Sequence, residues 1–153
     1  MTISEPTTLI TDYVLAVFST VFGVVLLRVR TNRATLLWSI GFLTLAAAGV
    51  TGGSFHGFRQ LMSDSALRSL WNITCILIGA TAGFMISGAL IGPLSRYGKN
   101  TRWHAAGLVV SIVGLVIQQG HISPHPSFNH NDLFHCVQIA ALFCFFRGAR
   151  MTA

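Results

Sequence analysis

Charge is scarce in this sequence. Only 9% of its 153 residues are Asp, Glu, Lys or Arg, where soluble domains carry about 25%. With 52% hydrophobic residues and a mean hydropathy of +0.65, that scarcity excludes an ordinary soluble domain. Cysteine is sparse too. Cys75, Cys136 and Cys144 fall inside apolar runs with no C-x-x-C pair, so no disulfide framework is visible and they read as buried free thiols. The N-terminal stretch "MTISEPTTLITD" lacks a basic n-region and carries Glu5 and Asp12, so it does not read as a signal peptide. Period-2 alternation is missing as well, which argues against a barrel. The net charge of +6 raises nucleic acid as a partner, but the basic residues sit in short clusters between apolar runs, not on a face. No nucleic-acid partner is expected.

What is present is long apolar runs. A hydrocarbon core needs about 20 helical residues. Five stretches qualify, at about 9–29, 36–55, 70–90, 103–119 and 131–147. The expected fold is a single all-α domain over 1–153, an integral membrane bundle of about five transmembrane helices. Arg28, Arg30 and Arg33 fill the first loop, Arg96, Lys99 and Arg102 the third, and Arg147 and Arg150 follow the last span. These segments share one side, which the positive-inside rule makes cytoplasmic. The N-terminus then lies outside and the C-terminus in the cytoplasm of a bacterial-type plasma membrane. Gly79-x-x-x-Gly83-x-x-x-Ser87, Gly107-x-x-x-Ser111 and the group Ala48, Gly49, Gly52 and Gly53 are small-residue faces that let helices approach closely. They suit packing within the bundle, and equally a homo-oligomer or a partner in a membrane complex.

On this topology five of the six histidines lie at the outer level: His56, His121, His125, His130 and His135. Asp12, Ser54, Asn72, Gln118 and Gln119 join them there. In "FNHNDLFHCVQ", Asn131, His135 and Gln138 fall on one helical face at i, i+4 and i+7. Asn129 or Asn131 would cap this helix and Asp132 would complement its positive terminus. His135 lies a full turn inside, and capping does not account for it. Ionisable side chains at such depth face a cavity or a partner. Imidazoles with a carboxylate suit zinc, with a position left for an activated water. The candidate ligands are His56, His130 and His135. His130 joins them only if the helix begins after it. Asp132 or Asp12 stands as fourth ligand, orienting group or general base, and Ser54 as a group that hydrogen-bonds the water.

"HNDLFHCVQIAALFCFFRG" resembles the last helix of the alkaline ceramidase and progestin/adiponectin receptor superfamily of membrane metal hydrolases, and "GGSFHGF" is similar to its early Ser and His motif. Asn131 stands where that helix carries its first histidine, with His130 adjacent. The resemblance implies zinc on His56 and His135 and hydrolysis of an amide in a membrane lipid such as ceramide. Two other expectations stay open: a haem or pigment protein with His56 and His135 as axial ligands, and a non-enzymatic accessory subunit of a membrane complex.

Overall fold

The computed structural model describes residues 3–91 and 99–152. Over these it is helical, with five helices: α1 Pro6–Val29, α2 Arg33–Gly57, α3 Asp64–Ile91, α4 Lys99–Gln119 and α5 His130–Arg150, and a short 3-10 turn at Arg59–Leu61. All five are long and apolar enough to cross a membrane. The helices run past the expected spans because their polar first turns continue the same backbone pattern. The largest extension is at α3, which begins at Asp64, six residues before Leu70.

Local chemistry sets each start. Pro6 occupies the first turn of α1, where its missing N–H costs nothing. Asn32 accepts the Thr35 N–H at 2.9 Å and caps α2. At α5, Asn129 Oδ1 accepts from the N–H groups of Asn131 and Asp132, while Asp132 Oδ2 accepts the Asn129 N–H at 2.8 Å. This reciprocal capping box fixes the first helical residue at His130. The expectation that the helix might begin after His130 is therefore corrected. His130 and His135 sit on one continuous helix, five residues apart, and point in different directions.

The helices pack in the order α3–α2–α1–α5–α4, and α3 and α4 do not pack along one another among the described residues. The core is built from α1, α2 and α5. Phe22, Leu26, Trp38, Phe42, Leu142 and Phe146 form its centre, and the rings of Phe22 and Phe146 stack at 4.6 Å. In contrast α3 and α4 keep most of their apolar surface outward, with Ile76 69% and Leu90 72% exposed. Exposed apolar surface of this kind is what lipid tolerates and water does not.

Glycine sets how closely α1 and α2 approach. A Cβ at Gly49 would stand 2.9 Å from the Asp12 carbonyl oxygen, and one at Gly53 would stand 2.9 Å from Asp12 Cβ. Polar contacts hold the same layers together. Ser39 donates to the Gly23 carbonyl at 2.7 Å, and Thr74 donates to Thr51 at 2.8 Å between α3 and α2. The other small faces divide. Gly107 lies against Phe145, so the face on α4 serves the bundle. Gly79 and Gly83 meet nothing within 4 Å, so the face on α3 points away from it. Arg96 lies outside the described residues.

The chain ends tie the layers at one level. The Ser4 N–H donates to the Gly57 carbonyl at 3.1 Å, Thr7 donates to the Ser127 carbonyl at 2.9 Å, and Thr8 donates to Asp132 Oδ1 at 2.8 Å. The starts of α1, α3 and α5 and the ends of α2 and α4 therefore share one end, called the N-terminal end below.

Two predictions follow from these contacts. Gly49→Val forces backbone apart and should cost about 1–3 kcal/mol, the usual range for overpacking. Gly79→Val, with open space around it, should change the melting temperature in detergent far less; equal losses would refute the close-approach account. Asp132→Asn keeps the shape but places an amide N–H group where one of two donors, Thr8 or the Asn129 N–H, now points. A loss of about 1–2 kcal/mol is expected, read by thermal or denaturant unfolding, and an unchanged midpoint would count against the capping role.

Candidate functional site: a polar-ended groove between the helices

Because α3 and α4 stand apart, the five helices surround a cavity of about 600 Å³. Its long wall is apolar, with Ile78 and Met85 of α3 facing Leu115 of α4 and Leu142 and Phe145 of α5. Towards the N-terminal end the lining changes to Asp12, His56, Gln118, Asn131, His135 and Gln138. Among the described residues no Lys or Arg lines it.

Asp12 is the deepest charged group. It reaches the cavity because Gly49 and Gly53 let α1 lie against α2, and Gly52 leaves the space beside it open. A Cβ at Gly52 would stand 3.8 Å from both carboxylate oxygens. Asp12 Oδ1 faces His135 Nε2 at 3.3 Å, with the two side chains only 8% and 12% exposed. The other ring nitrogen, Nδ1, lies 3.0 Å from Thr11 Oγ1. Thr11 also has the Thr8 carbonyl within reach at 3.1 Å, and its hydroxyl holds one proton to give. If that proton goes to Thr8, Nδ1 carries the hydrogen and Nε2 must share a proton with Asp12. If it goes to His135, Nε2–H donates to the carboxylate. The two arrangements differ by one proton on the Asp12–His135 pair.

A second pair lies beside the first. His56 Nδ1 is 3.1 Å from Glu5 Oε2. Across the α4–α5 seam, Ser111 and Gln138 exchange two long hydrogen bonds of 3.4 Å, and Gln118 reaches Asn131 at the same distance. Such lengths are loose for protein hydrogen bonds. These amides therefore have capacity left for another partner.

The candidate residues read from the sequence are not all brought together. His56 and His135 line the same cavity, as their common level suggested. His130 does not line it; its ring packs edge-on to His121 at 4.7 Å. His121 takes a left-handed backbone angle, φ 50°, as α4 ends, which turns the loop back over the start of α5. Asp132 is 1% exposed with both oxygens committed to Thr8 and the Asn129 N–H, so it acts on the helix start and not on the cavity. Ser54 donates to the Val50 carbonyl at 2.7 Å and contacts the Tyr13 hydroxyl at 3.0 Å, outside the cavity lining. Thr11 carried no sequence signal of its own. Only its position one residue before Asp12, on a helix packed against α5, brings it to His135.

These positions bear on the metal and haem expectations. Among the described residues no three His, Cys, Asp or Glu side chains are disposed to hold one ion. The local reasons are the direction of His130 and the full engagement of His135, whose two nitrogens both have partners. The latter applies to an axial haem ligand as well. The arrangement as it stands does not fit zinc on His56, His130 and His135.

A protein-family model matches residues 7–99 and 91–153, which together span nearly the whole chain. No curated protein and no solved structure matches it. The chain belongs to that family, whose description is "Family of unknown function (DUF6962)".

Proposed function

We propose that this protein is a multi-pass membrane protein that holds a single-chain amphiphile, admitted from the bilayer through the slot between α3 and α4. One observation carries the reading: a cavity of about 600 Å³ with an apolar wall and all its ionisable lining at one end. Small-molecule sites fall at about 300–1,000 Å³, mostly apolar with a few convergent polar groups. An acyl or isoprenoid chain would lie along Ile78, Met85, Leu142 and Phe145. Its polar head would reach Asp12, His135 and the carboxamides.

The orientation belongs to the same reading. Basic residues gather at the end opposite the cavity's polar groups, where Arg28, Arg30, Arg33, Arg147 and Arg150 lie. The positive-inside rule puts that end in the cytoplasm, so the head would sit near the outer leaflet of a bacterial-type plasma membrane.

A hydrolytic reading draws on the same residues. His135 is oriented by Asp12 and His56 by Glu5. Imidazoles held in this way are suited to moving a proton to or from water. With no third ligand at hand, such chemistry would use water activated by a histidine.

Trp71 lines the cavity and gives a direct test. A spin-labelled single-chain lipid should quench Trp71 saturably in nanodiscs, with Trp71→Phe removing that component. Gly52→Leu projects a side chain beside Asp12 and should weaken the binding by about tenfold or more, which is about 1.4 kcal/mol. Gly52→Ala, whose added Cβ would make only ordinary contacts with Thr74 at 3.5 Å and the Asp12 oxygens at 3.8 Å, should bind nearly as wild type. Quenching that never saturates, or that is equal in the leucine variant, would overturn the groove as a ligand site. Analysing the same samples for cleaved lipid separates binding alone from hydrolysis.

A further inference from the structure

We infer that the groove selects an amphiphile with an ammonium head, and that Asp12 is the group that receives it. This inference rests on the groove being a ligand site and adds the chemistry of the head.

The first support is the state of Asp12. Its side chain is only 8% exposed, and it lines the cavity. Oδ1 faces His135, while Oδ2 accepts no hydrogen bond among the described residues. Glycine at position 52 leaves both oxygens uncovered. A carboxylate at this depth in a membrane is costly without a cation beside it. Among the described residues no Lys or Arg lines this cavity. His135 supplies one N–H at most, and it must divide its two nitrogens between Asp12 and Thr11. A ligand ammonium with several N–H donors would meet the open oxygen, and charge-assisted bonds of that kind are about twice as strong as neutral ones.

The second support is the distribution of charge around the head end. The chain has four acidic residues against ten basic ones. All four acids, Glu5, Asp12, Asp64 and Asp132, fall at the N-terminal end. Arg59 and Arg68, the bases nearest that end in sequence, do not line the cavity. Among the described lining residues an anionic head would therefore meet the Asp12 carboxyl and no Lys or Arg. The start of α5, where an anion would find free N–H groups, is closed by the capping box of Asn129 and Asp132. The remaining lining groups, Gln118, Asn131 and Gln138, offer carbonyl oxygens that an ammonium can also use.

The test is competition against the spin-labelled probe in nanodiscs of neutral lipid, with chain-matched hexadecylamine, hexadecanol and palmitate corrected for partitioning into empty discs. Wild type should favour the amine over the alcohol by about tenfold, with palmitate weakest. In Asp12→Asn, checked for folding by its melting curve, the amine-to-alcohol ratio should collapse towards one. The wild-type series decides the matter by itself where that variant does not fold. Equal competition by amine and alcohol, a preference for palmitate, or an unchanged ratio in folded Asp12→Asn would overturn the inference and leave the groove standing. Failure of all three ligands to compete would overturn the groove and the inference together.

Discussion

The contact between α1 and α2 at Gly49 and Gly53 governs the rest of this molecule. With no side chain at either position, the backbone of α1 lies directly on α2, and Asp12 is held at that crossing. Burial of Asp12 brings it to His135, and the tie between Thr8 and Asp132 holds α5 in the position where His135 can answer it. A shift of one helix by a side-chain width would separate the pair and close or distort the groove. In lipid no hydrophobic drive holds helices together, so close backbone approach and polar contacts carry the packing. The same residues that assemble the bundle thus arrange the buried acid that lines the groove.

An open bundle is the second consequence. Three helices, α1, α2 and α5, are enough to form the core around Phe22, Phe42 and Phe146. Helices α3 and α4 then attach at the two flanks, α3 chiefly on α2 and α4 chiefly on α5, and leave a slot between them. In water such a slot would collapse, because Met85, Leu115 and Leu142 would be driven together. In a bilayer that drive is absent, and an apolar chain fills the gap at little cost. The cavity is thus a natural product of a bundle whose outer helices each pack mainly on one partner.

The sequence made some features legible and hid others, for physical reasons. The helices were readable because a hydrocarbon core imposes length and polarity on each span, whatever its neighbours. The shared level of His56 and His135 was readable for the same reason, since topology fixes depth. Direction around a helix axis was not. His130 and His135 differ by five residues, and whether they converge depends on where α5 begins, which the Asn129–Asp132 box decides within one residue. Asp132 looked equally suited to capping and to chemistry, since a carboxylate near a helix start serves both; its burial against Thr8 settles its place. Gly79 and Gly83 carry the same spacing as glycines that pack, yet face outward, because spacing records which residues share a face and not what that face meets.

Charge links topology to the site. A chain with ten basic and four acidic residues must keep most bases out of hydrocarbon, and here the majority collect at the end away from the groove's polar lining. That division is usually read as a signal for insertion alone. Among the described residues it also leaves the cavity lining without Lys or Arg, while Glu5, Asp12 and Asp132 gather at that end. The field inside the groove is therefore tied to how the protein sits in the membrane. An arginine moved into the lining to receive an anion would weaken the asymmetry of basic residues between the two ends and would bury a charge. On the ammonium inference, the ligand brings the cation and the distribution of basic residues is left intact. On this argument the polarity of the head end follows from the same constraint that orders the five spans.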